Sequence, residues 1–473
     1  MPWSKRFWRA VSRAPDISSR EAGGVGRRIA SNTGILLGAK IVATLLGAAT
    51  LVVATQSLSA AEFGIIVFLH AYMLFFAEVA TFQSWQSVIR FGTDDVEAGD
   101  THSLVRLLRF AFTLDIVSVL VGYALAVLAF QGVVAVAEHL PGLAPAEGVD
   151  IDTLQTLVTL YCLVILVRFT STSVGIFRLF DKFTVLGVEA LVMPVIRFAG
   201  AVLAALQGWG LVGFVGAWFA GSFAQYVFMW SAGLLELRRR GLLRPVLRAR
   251  IRFLRPHRPL WGFVVKSNID ATLATGFMHL PQLLVMAVFG PVWNGVYKIA
   301  EEVAKLLTEG FKLLDQVIYP ELAKLVSAGQ ADRIWRLVTR ASLILLGVGL
   351  AFSALIFLFG EQALTAIFGP TYAQAVPLAA LLVPAAALLG AAAPLYPIFY
   401  ATDRPGRAGI IRGAALGVYV TVFFAAAATS IGKLAPGAAS LAANLFAVVV
   451  LVVAARHALR RAPAPVSPVP EAS

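Results

Sequence analysis

Residues 294–320 have the sequence NGVYKIAEEVAKLLTEGFKLLDQVIYP. In a helix of 100° per residue, seven charged or polar residues of this stretch fall within about 40° of one line; this charged stripe consists of Asn294, Lys298, Glu302, Lys305, Glu309, Lys312 and Gln316. The opposite side is apolar, with Val296, Val303, Leu307, Phe311, Leu314 and Ile318. The pattern predicts one helix with a charged face and an apolar face. The apolar segments before and after it are long enough to cross a bilayer, so the helix is expected to lie in the membrane, and its charged stripe cannot face lipid.

The composition is typical of a polytopic membrane protein. Of 473 residues, 59% are hydrophobic and 14% charged, with a mean hydropathy of +0.81, whereas soluble domains have about 25% charged residues. The net charge of +13 is explained by cytoplasmic loops rich in Lys and Arg, so no nucleic-acid partner is expected. The single cysteine, Cys162, lies in an apolar segment, which excludes a disulfide framework and a thiolate metal site.

Twelve segments are apolar over about 20 residues, the length that spans a bilayer: 31–54, 62–89, 105–130, 153–177, 184–206, 211–236, 260–289, 293–319, 336–359, 373–400, 408–429 and 437–458. They predict an all-α protein in two six-helix bundles, 31–237 and 260–458, around a central cavity. Two bundles that both begin on the cytoplasmic side would be parallel repeats.

Basic residues alternate between the predicted loops. Loops on one side hold several Lys and Arg residues each, whereas the loops on the other side hold only Lys433, so the tails 1–30 and 459–473 are predicted to be cytoplasmic. The first tail is basic and lacks the features of a signal peptide. Between the bundles, the segment 238–259 contains nine arginines; we interpret it as a cytoplasmic connector, with a surface helix on anionic lipid as the alternative.

Charged residues also occur within the apolar segments, where each costs about 2.5 to 3.5 kcal/mol and needs shelter from lipid: Lys40, Glu78, Asp115, Arg168, Glu189, Arg197, Lys266 and Asp270. Lys266 and Asp270 are four residues apart and can neutralise each other. Arg168 and Arg197 have no acidic residue three or four positions away, so these two, with Lys40, are the strongest candidates for cations that face the cavity.

Two interpretations of the charged stripe remain open. In the first, Lys298 with Glu302, Glu302 with Lys305, and Lys305 with Glu309 form a self-neutralised ladder along the helix. In the second, the lysines exchange these carboxylates for an anionic head group, since an ammonium is a compact phosphate ligand. The candidate substrate-binding cations are Lys40, Arg168, Arg197, Lys266, Lys298, Lys305 and Lys312; the candidate ion-coupling carboxylates are Glu78, Asp270, Glu302 and Glu309.

Catalysis is not expected. The six histidines lack metal-ligand spacing, and the sequence has neither a phosphate-binding lysine loop nor a GxSxG nucleophile motif. No extramembrane segment is long enough to hold a nucleotide. We therefore predict no enzyme activity, no catalytic residue, no cofactor and no metal.

The chain resembles polysaccharide and O-antigen flippases of the multidrug and oligosaccharidyl-lipid exporter superfamily. The resemblance is carried by SNTGILLGAKIVATLLGAATLVVATQSLSAAEFGIIVF (31–68), EVATFQSWQSVIRFG (78–92), FGPVWNGVYKIAEEVAKLL (289–307), VIYPELAKL (317–325), IFGPTYAQAVPLAALLVP (367–384) and YATDRPGRAGI (400–410). It implies that cationic side chains receive the diphosphate of an undecaprenyl-linked oligosaccharide. By position, Glu78 matches a common acidic site of the family and Arg90 the basic residue that closes it. The residues HLPQ at 279–282 depart from relatives that carry aspartate or arginine there.

The sequence therefore leads us to expect a bacterial inner-membrane flippase that moves a lipid-linked glycan to the periplasmic face by alternating access. Its partners would be membrane lipids and polysaccharide polymerase or co-polymerase proteins. The main alternative is a drug or cation antiporter of the same superfamily, whose cavity should be acidic. Two others are a flippase for a peptidoglycan precursor, which usually has fourteen helices, and a non-transporting subunit of a glycan synthase.

Overall fold

A computed structural model describes residues 22–135, 151–249, 260–327, 331–392, 395 and 405–460. All regular structure in these ranges is helical: α1 Ala22–Ser57, α2 Ala60–Ala80, α3 Ser84–Glu97, α4 Thr101–Ala135, α5 Ile151–Cys162, α6 Ser171–Leu179, α7 Phe183–Gln207, α8 Gly210–Arg239, α9 Leu243–Arg248, α10 Leu260–Ser327, α11 Ala331–Phe368, α12 Ala375–Ala392, α13 Pro405–Ala427 and α14 Ala435–Arg460. Short 3-10 segments precede α6, α12 and α14: Leu163–Val167, Pro370–Gln374 and Gly432–Leu434. The predicted all-α class is confirmed.

Within the described residues, eleven helical segments are long and apolar enough to span a membrane. The seventh and eighth predicted spans are the two parts of α10, which has 68 residues. Unbroken, a helix of that length would measure about 100 Å, against a hydrocarbon core of about 30 Å. Gly290 divides it, with φ 80° and ψ −177°, a conformation that glycine adopts without the steric cost of a side chain.

The start of α2 packs directly against this break. A Cβ atom at Gly64 would overlap the carbonyl oxygen of Pro291, and one at Gly295 would lie 2.9 Å from the carbonyl oxygen of Ala60. The buried Asn294 donates a hydrogen bond to the carbonyl oxygen of Gly64 (2.8 Å), and Gln282 Nε2 donates to Asn294 Oδ1 (3.1 Å). The polar residue Gln282 of the HLPQ segment therefore joins the two parts of α10.

Two predicted spans are discontinuous, which corrects the expectation of single helices over 62–89 and 153–177. The first is divided between α2 and α3 by the non-helical residues 81–83, and the second between α5 and α6 by a 3-10 segment and residues 168–170. Both breaks fall in clusters of Ser, Thr and other polar residues, whose side chains compete with the helix for backbone hydrogen bonds. In the tenth predicted span, 373–400, helix α12 ends at Ala392, and most later residues lie outside the description.

The chain divides into two compact units. The first unit contains α1, α2 from Leu69 onward, α3 to α9, and α10 as far as Thr272. The second contains residues 60–68 of α2, the remainder of α10, and α11 to α14.

In the first unit, the helix that follows α8 is anchored to the core. The buried residues Leu242 and Val246, each 2% exposed, pack in a cluster with side chains from α3, α4, α6 and α8. The arginine-rich segment therefore begins as a packed helix, whereas its residues 250–259 lie outside the described part of the chain. In the second unit, α11, α13 and α14 share an apolar cluster around Ile334, Ile411 and Leu451.

Helix α4 is unbroken over 35 residues and begins with a cap. The carboxylate of Asp100 accepts a hydrogen bond from the backbone N–H of Ser103 (3.0 Å). This bond to a first-turn N–H stabilises the charged carboxylate and lowers the pKa of Asp100. The continuous helix then carries Asp115 to the level of the two breaks.

Candidate functional site

The two helix breaks of the first unit lie side by side. Each second helix begins at the serine of a Phe-x-Ser sequence, at Ser84 for α3 and at Ser171 for α6. The backbone N–H of Trp85 donates to Ser171 Oγ (3.2 Å), and a Cβ atom at Gly175 would lie 2.8 Å from Val88 Cβ. The N-termini of two half-helices therefore meet inside the unit, an arrangement that transporters use to build binding sites.

Asp115 joins these two N-termini. Ser84 Oγ donates to its Oδ1 atom (2.6 Å), and the backbone N–H of Thr172 donates to its Oδ2 atom (2.7 Å). The residue is only 2% exposed, and the ends of two helix dipoles favour its negative charge. Asp115 therefore fixes how α3 and α6 start, and with them the breaks that precede them.

Arg168 lies in the second break and is ion-paired. Its Nη2 atom lies 3.0 Å from Glu78 Oε1, with side-chain exposures of 18% and 32%, its Nη1 atom donates to Thr81 Oγ1 (3.4 Å), and its guanidinium lies 5.8 Å from the ring centre of Tyr226. The spacing of acidic residues near Arg168 in the sequence does not reveal this partner, because Glu78 is 90 residues away. The salt bridge joins the two broken spans on the α2 side of the breaks.

Arg197, on α7, has neutral partners. Its Nη2 atom lies within hydrogen-bonding distance of His70 Nε2 (3.4 Å), Met193 Sδ (3.2 Å) and Ser222 Oγ (3.2 Å), and its guanidinium lies 5.1 Å from the ring centre of Trp218. Among the described residues, no carboxylate lies within 4 Å of this guanidinium. Within the part of the chain that the structure describes, Arg197 is therefore a positive charge in a membrane span with no carboxylate beside it.

His70, on α2, contacts two residues of the first unit through its two ring nitrogens. A guanidinium can only donate hydrogen bonds, so His70 Nε2 is the acceptor in the contact with Arg197. The Nδ1 atom of His70 lies 3.0 Å from Tyr161 Oη. His70 therefore links Arg197 of α7 to Tyr161 of α5.

Tyr226, on α8, lies close enough to both Arg168 and Arg197 to interact electrostatically with each. We call these three residues the two-arginine site. Next to Tyr226 in the sequence, Gln225 Nε2 donates to Glu189 Oε1 of α7 (2.6 Å). Polar contacts therefore continue from the two-arginine site along the interface of α7 and α8.

In the second unit, the charged stripe forms contacts along one helix. Lys298 Nζ lies 2.7 Å from Glu301 Oε2 and 2.9 Å from Glu302 Oε1, and Lys305 Nζ lies 3.5 Å from Glu302 Oε1. The side chain of Lys305 is 53% exposed, whereas that of Lys298 is 20% exposed. Two of the predicted ladder contacts are present, and Glu301 is an additional partner that the stripe did not include.

The other candidate residues are more dispersed. Lys40 is exposed on α1 and Arg90 is exposed on α3. Lys266, Asp270 and Lys312 belong to α10, but their side chains lie outside the description, as does the expected contact between Lys266 and Asp270. In the described part of the chain, no group of three His, Cys, Asp or Glu residues could hold a metal ion.

Sequence reasoning missed several residues of this region. His70, Tyr161, Gln225 and Tyr226 were not among the candidates, because single neutral side chains in apolar segments carry no periodic signal. The one available signal was the repeated polar cluster, ATFQS at 80–84 and RFTSTS at 168–173. Two such clusters inside apolar segments indicate paired interruptions.

Comparison with known proteins supports the sequence resemblance. The profile of a family described as polysaccharide biosynthesis protein matches residues 53–377. The chain is 29% identical over 357 residues to the inner membrane protein YghQ of Escherichia coli strain K12, covering 76% of this chain and 97% of that protein.

Several solved structures are similar over most of the chain. An inward-facing multidrug resistance MATE family transporter of the MOP superfamily gives a TM-score of 0.64 at 13% identity, covering 90% of this chain and 98% of that one. The lipid II flippase MurJ in an inward closed conformation gives 0.61 at 12% identity, covering 90% and 87%. A variant of the Vibrio cholerae MATE transporter VcmN gives 0.54 at 13% identity, covering 93% and 98%. At these identities the similarity establishes the fold, which drug transporters and a lipid flippase share.

Proposed function

The chain belongs to the polysaccharide biosynthesis protein family, and from this membership we propose that it is a flippase for a polyprenyl-diphosphate-linked glycan. It moves the glycan from the cytoplasmic to the periplasmic leaflet of the bacterial inner membrane by alternating access, and it is a transporter without enzyme activity. The MurJ similarity supports a lipid-linked cargo, since that protein is described as a lipid II flippase. The name of YghQ supports the inner-membrane location.

The observation that carries the proposal is the charge balance of the two-arginine site. Two guanidinium groups share one tyrosine, and only Arg168 has a carboxylate partner among the described residues. A diphosphate supplies the missing negative charge, and guanidinium groups bind phosphate oxygens through paired N–H donors. Arg197 binds the diphosphate first in this scheme, because no ion pair has to break to release it.

The charged stripe supplies a second set of cations in the proposal. Lys298 and Lys305 exchange their glutamate partners for phosphate oxygens during transport. Lys40, Lys266 and Lys312 complete the set of substrate-binding cations, with Glu78, Asp270, Glu302 and Glu309 as sites for a coupling ion. The chain termini lie in the cytoplasm in this proposal. A polysaccharide polymerase or co-polymerase receives the transported glycan.

Drug or cation antiport is the second candidate, and Glu189 favours it. The fold accommodates multidrug transporters equally well, and this carboxylate in a membrane span has only an amide partner among the described residues. The other described carboxylates of the site region are occupied by Arg168 or by helix N-termini. The uncompensated Arg197 repels a cationic drug, which is why we prefer the flippase.

The test uses full-length protein reconstituted in liposomes with two cargoes. A fluorescently labelled undecaprenyl-diphosphate N-acetylglucosamine reports flipping through its accessibility to dithionite, and ethidium reports drug transport. We expect the protein to equilibrate the lipid between leaflets at least tenfold faster than protein-free liposomes, and not to move ethidium. Ethidium transport without lipid flipping would establish the antiporter instead, and inactivity on both cargoes would contradict the flippase.

A further inference from the structure

The contact between Glu189 and Gln225 is unusual for a membrane span. Both residues are half-buried, the two side chains are 2.6 Å apart, and no described cation lies within 4 Å of the carboxylate. A charged carboxylate within a membrane span has an energetic cost and usually has a charged or metal partner. A neutral amide offsets that cost incompletely, so the carboxylate needs a further role.

The contact is not required to hold α7 and α8 together. Small residues already bring the two backbones close: a Cβ atom at Gly200 would lie 2.7 Å from Ala217 Cβ, and one at Gly221 would lie 3.1 Å from the carbonyl oxygen of Met193. Close packing of small residues is the usual basis of helix association in membranes. The polar pair is therefore additional to a packed interface.

The pair of Glu189 and Gln225 lies on α7 and α8, the helices that carry Arg197 and Tyr226 of the two-arginine site. Glu189, Met193 and Arg197 follow one another at intervals of four on α7, which places Glu189 about 12 Å along the helix from Arg197. Gln225 is next to Tyr226 in the chain. The ring centre of Tyr226 lies 5.8 Å from the Arg168 guanidinium. A ligand whose diphosphate contacts the arginines would extend its next group toward Glu189 and Gln225.

The chemistry of the pair matches a sugar. A carboxylate accepts hydrogen bonds from hydroxyl groups, and an amide both donates and accepts them, so together they can bind adjacent hydroxyls of one ring. In a lipid-linked glycan the group attached to the diphosphate is a sugar. Resting on the proposed function, we propose that Glu189 and Gln225 form a subsite for the hydroxyl groups of the sugar that is attached to the diphosphate.

The test compares lipids with and without that sugar. Full-length protein in nanodiscs is titrated with undecaprenyl diphosphate, undecaprenyl-diphosphate N-acetylglucosamine and undecaprenyl-diphosphate galactose, and binding is followed by microscale thermophoresis. We expect at least one sugar-bearing lipid to bind more tightly than undecaprenyl diphosphate. Glu189→Gln should weaken binding of that lipid about ten- to hundredfold, the range for a lost hydrogen bond to a charged group, and leave binding of undecaprenyl diphosphate within twofold.

The variants separate a sugar contact from a structural one. Glu189→Gln retains a side chain that can bond to Gln225, so its thermal unfolding should match the wild type. Glu236→Gln on α8 is the matched control, because that carboxylate has its own cation, Arg240, at 2.8 Å; it should change neither affinity. Arg197→Ala should weaken binding of all three lipids.

The remaining results of this experiment contradict either the sugar subsite alone or the proposed function as well. If Glu189→Gln weakens both kinds of lipid equally, or neither, or if wild type shows no preference for a sugar-bearing lipid, the sugar subsite is wrong while the flippase proposal stands. If wild type binds none of the three lipids, the proposed function fails and the subsite fails with it.

Discussion

The candidate substrate-binding cations of the two units have different kinds of partner. In the first unit, Arg168 meets Glu78 and Arg197 meets His70 across separations of 90 and 127 residues in sequence. In the second unit, Lys298 meets its glutamates three and four residues away on the same helix. The first kind of contact exists only when several helices are assembled, whereas the second accompanies the helix itself.

This difference has an energetic consequence. Contacts within one helix contribute about 0.2 to 0.5 kcal/mol per pair when exposed, and they survive movement of that helix as a body. Contacts between helices in a membrane span break when the helices separate, so they can respond to a bound anion or to a conformational change. We therefore expect substitutions in the first unit to affect stability and transport more than those in the second.

The largest effect is expected for Arg168→Ala. It removes a phosphate-binding cation and the 3.0 Å salt bridge to Glu78, so lipid flipping should fall at least tenfold and the free energy of unfolding by about 1 to 3 kcal/mol. The measurements are dithionite accessibility in liposomes and unfolding in detergent.

A second change separates these two losses. Adding Glu78→Gln to Arg168→Ala neutralises the carboxylate that lost this salt bridge, so the free energy of unfolding should recover in part while flipping stays low. Recovery of flipping in the double variant would show that Arg168 only neutralises Glu78. The ion pair of the first unit would then have a structural role, like a self-neutralised ladder in the second unit.

The next effect concerns Asp115, which holds the two half-helices. In Asp115→Asn, the remaining carbonyl oxygen can still accept from the Thr172 N–H, but the amide cannot accept from Ser84 Oγ. We expect unfolding in detergent to require about 1 to 3 kcal/mol less free energy. Ser84→Ala is the control, since it removes one hydroxyl donor and retains the charge; a larger loss in Ser84→Ala than in Asp115→Asn would show that the helix N-termini do not depend on the carboxylate.

The sequence predicted the charged contacts of the second unit better than those of the first, for a physical reason. Contacts such as Lys298 with Glu302 follow from a period of 3.6 residues, so the charged stripe reveals them before the fold is known. The contact of Arg168 with Glu78 depends on two breaks that hydropathy averages conceal, because a window of about 20 residues hides three polar positions. The family and the all-α membrane fold were predicted and are confirmed, whereas the substrate-binding roles stay predictions.

The lysines of the charged stripe should give smaller effects on stability. Lys298→Ala removes a side chain that is 20% exposed and contacts two glutamates, and it should lower the free energy of unfolding by about 1 kcal/mol. Lys305→Ala, with a lysine that is 53% exposed, should change it by less than about 0.5 kcal/mol.

Transport decides the role of Lys305. If its ammonium binds phosphate, Lys305→Ala reduces flipping, and adding Glu302→Gln and Glu309→Gln does not restore it, because the cation is missing. Restored flipping in the triple variant would mean that the stripe is a self-neutralised ladder, and only the first unit would then bind the diphosphate.

The smallest effect is expected where arginines are neither buried nor part of the site. Arg244 and Arg248 are exposed on α9, so replacing both by Gln should change the free energy of unfolding by no more than about 0.5 kcal/mol and leave flipping per inserted molecule unchanged. Leu242→Ala is the matched control, because this 2% exposed side chain packs in the core of the first unit and its loss should cost about 2 to 5 kcal/mol. Normal insertion with abolished flipping in the arginine variant would bring the linker into the transport mechanism. It would also show that exposed charges can matter as much as the ion pairs between helices.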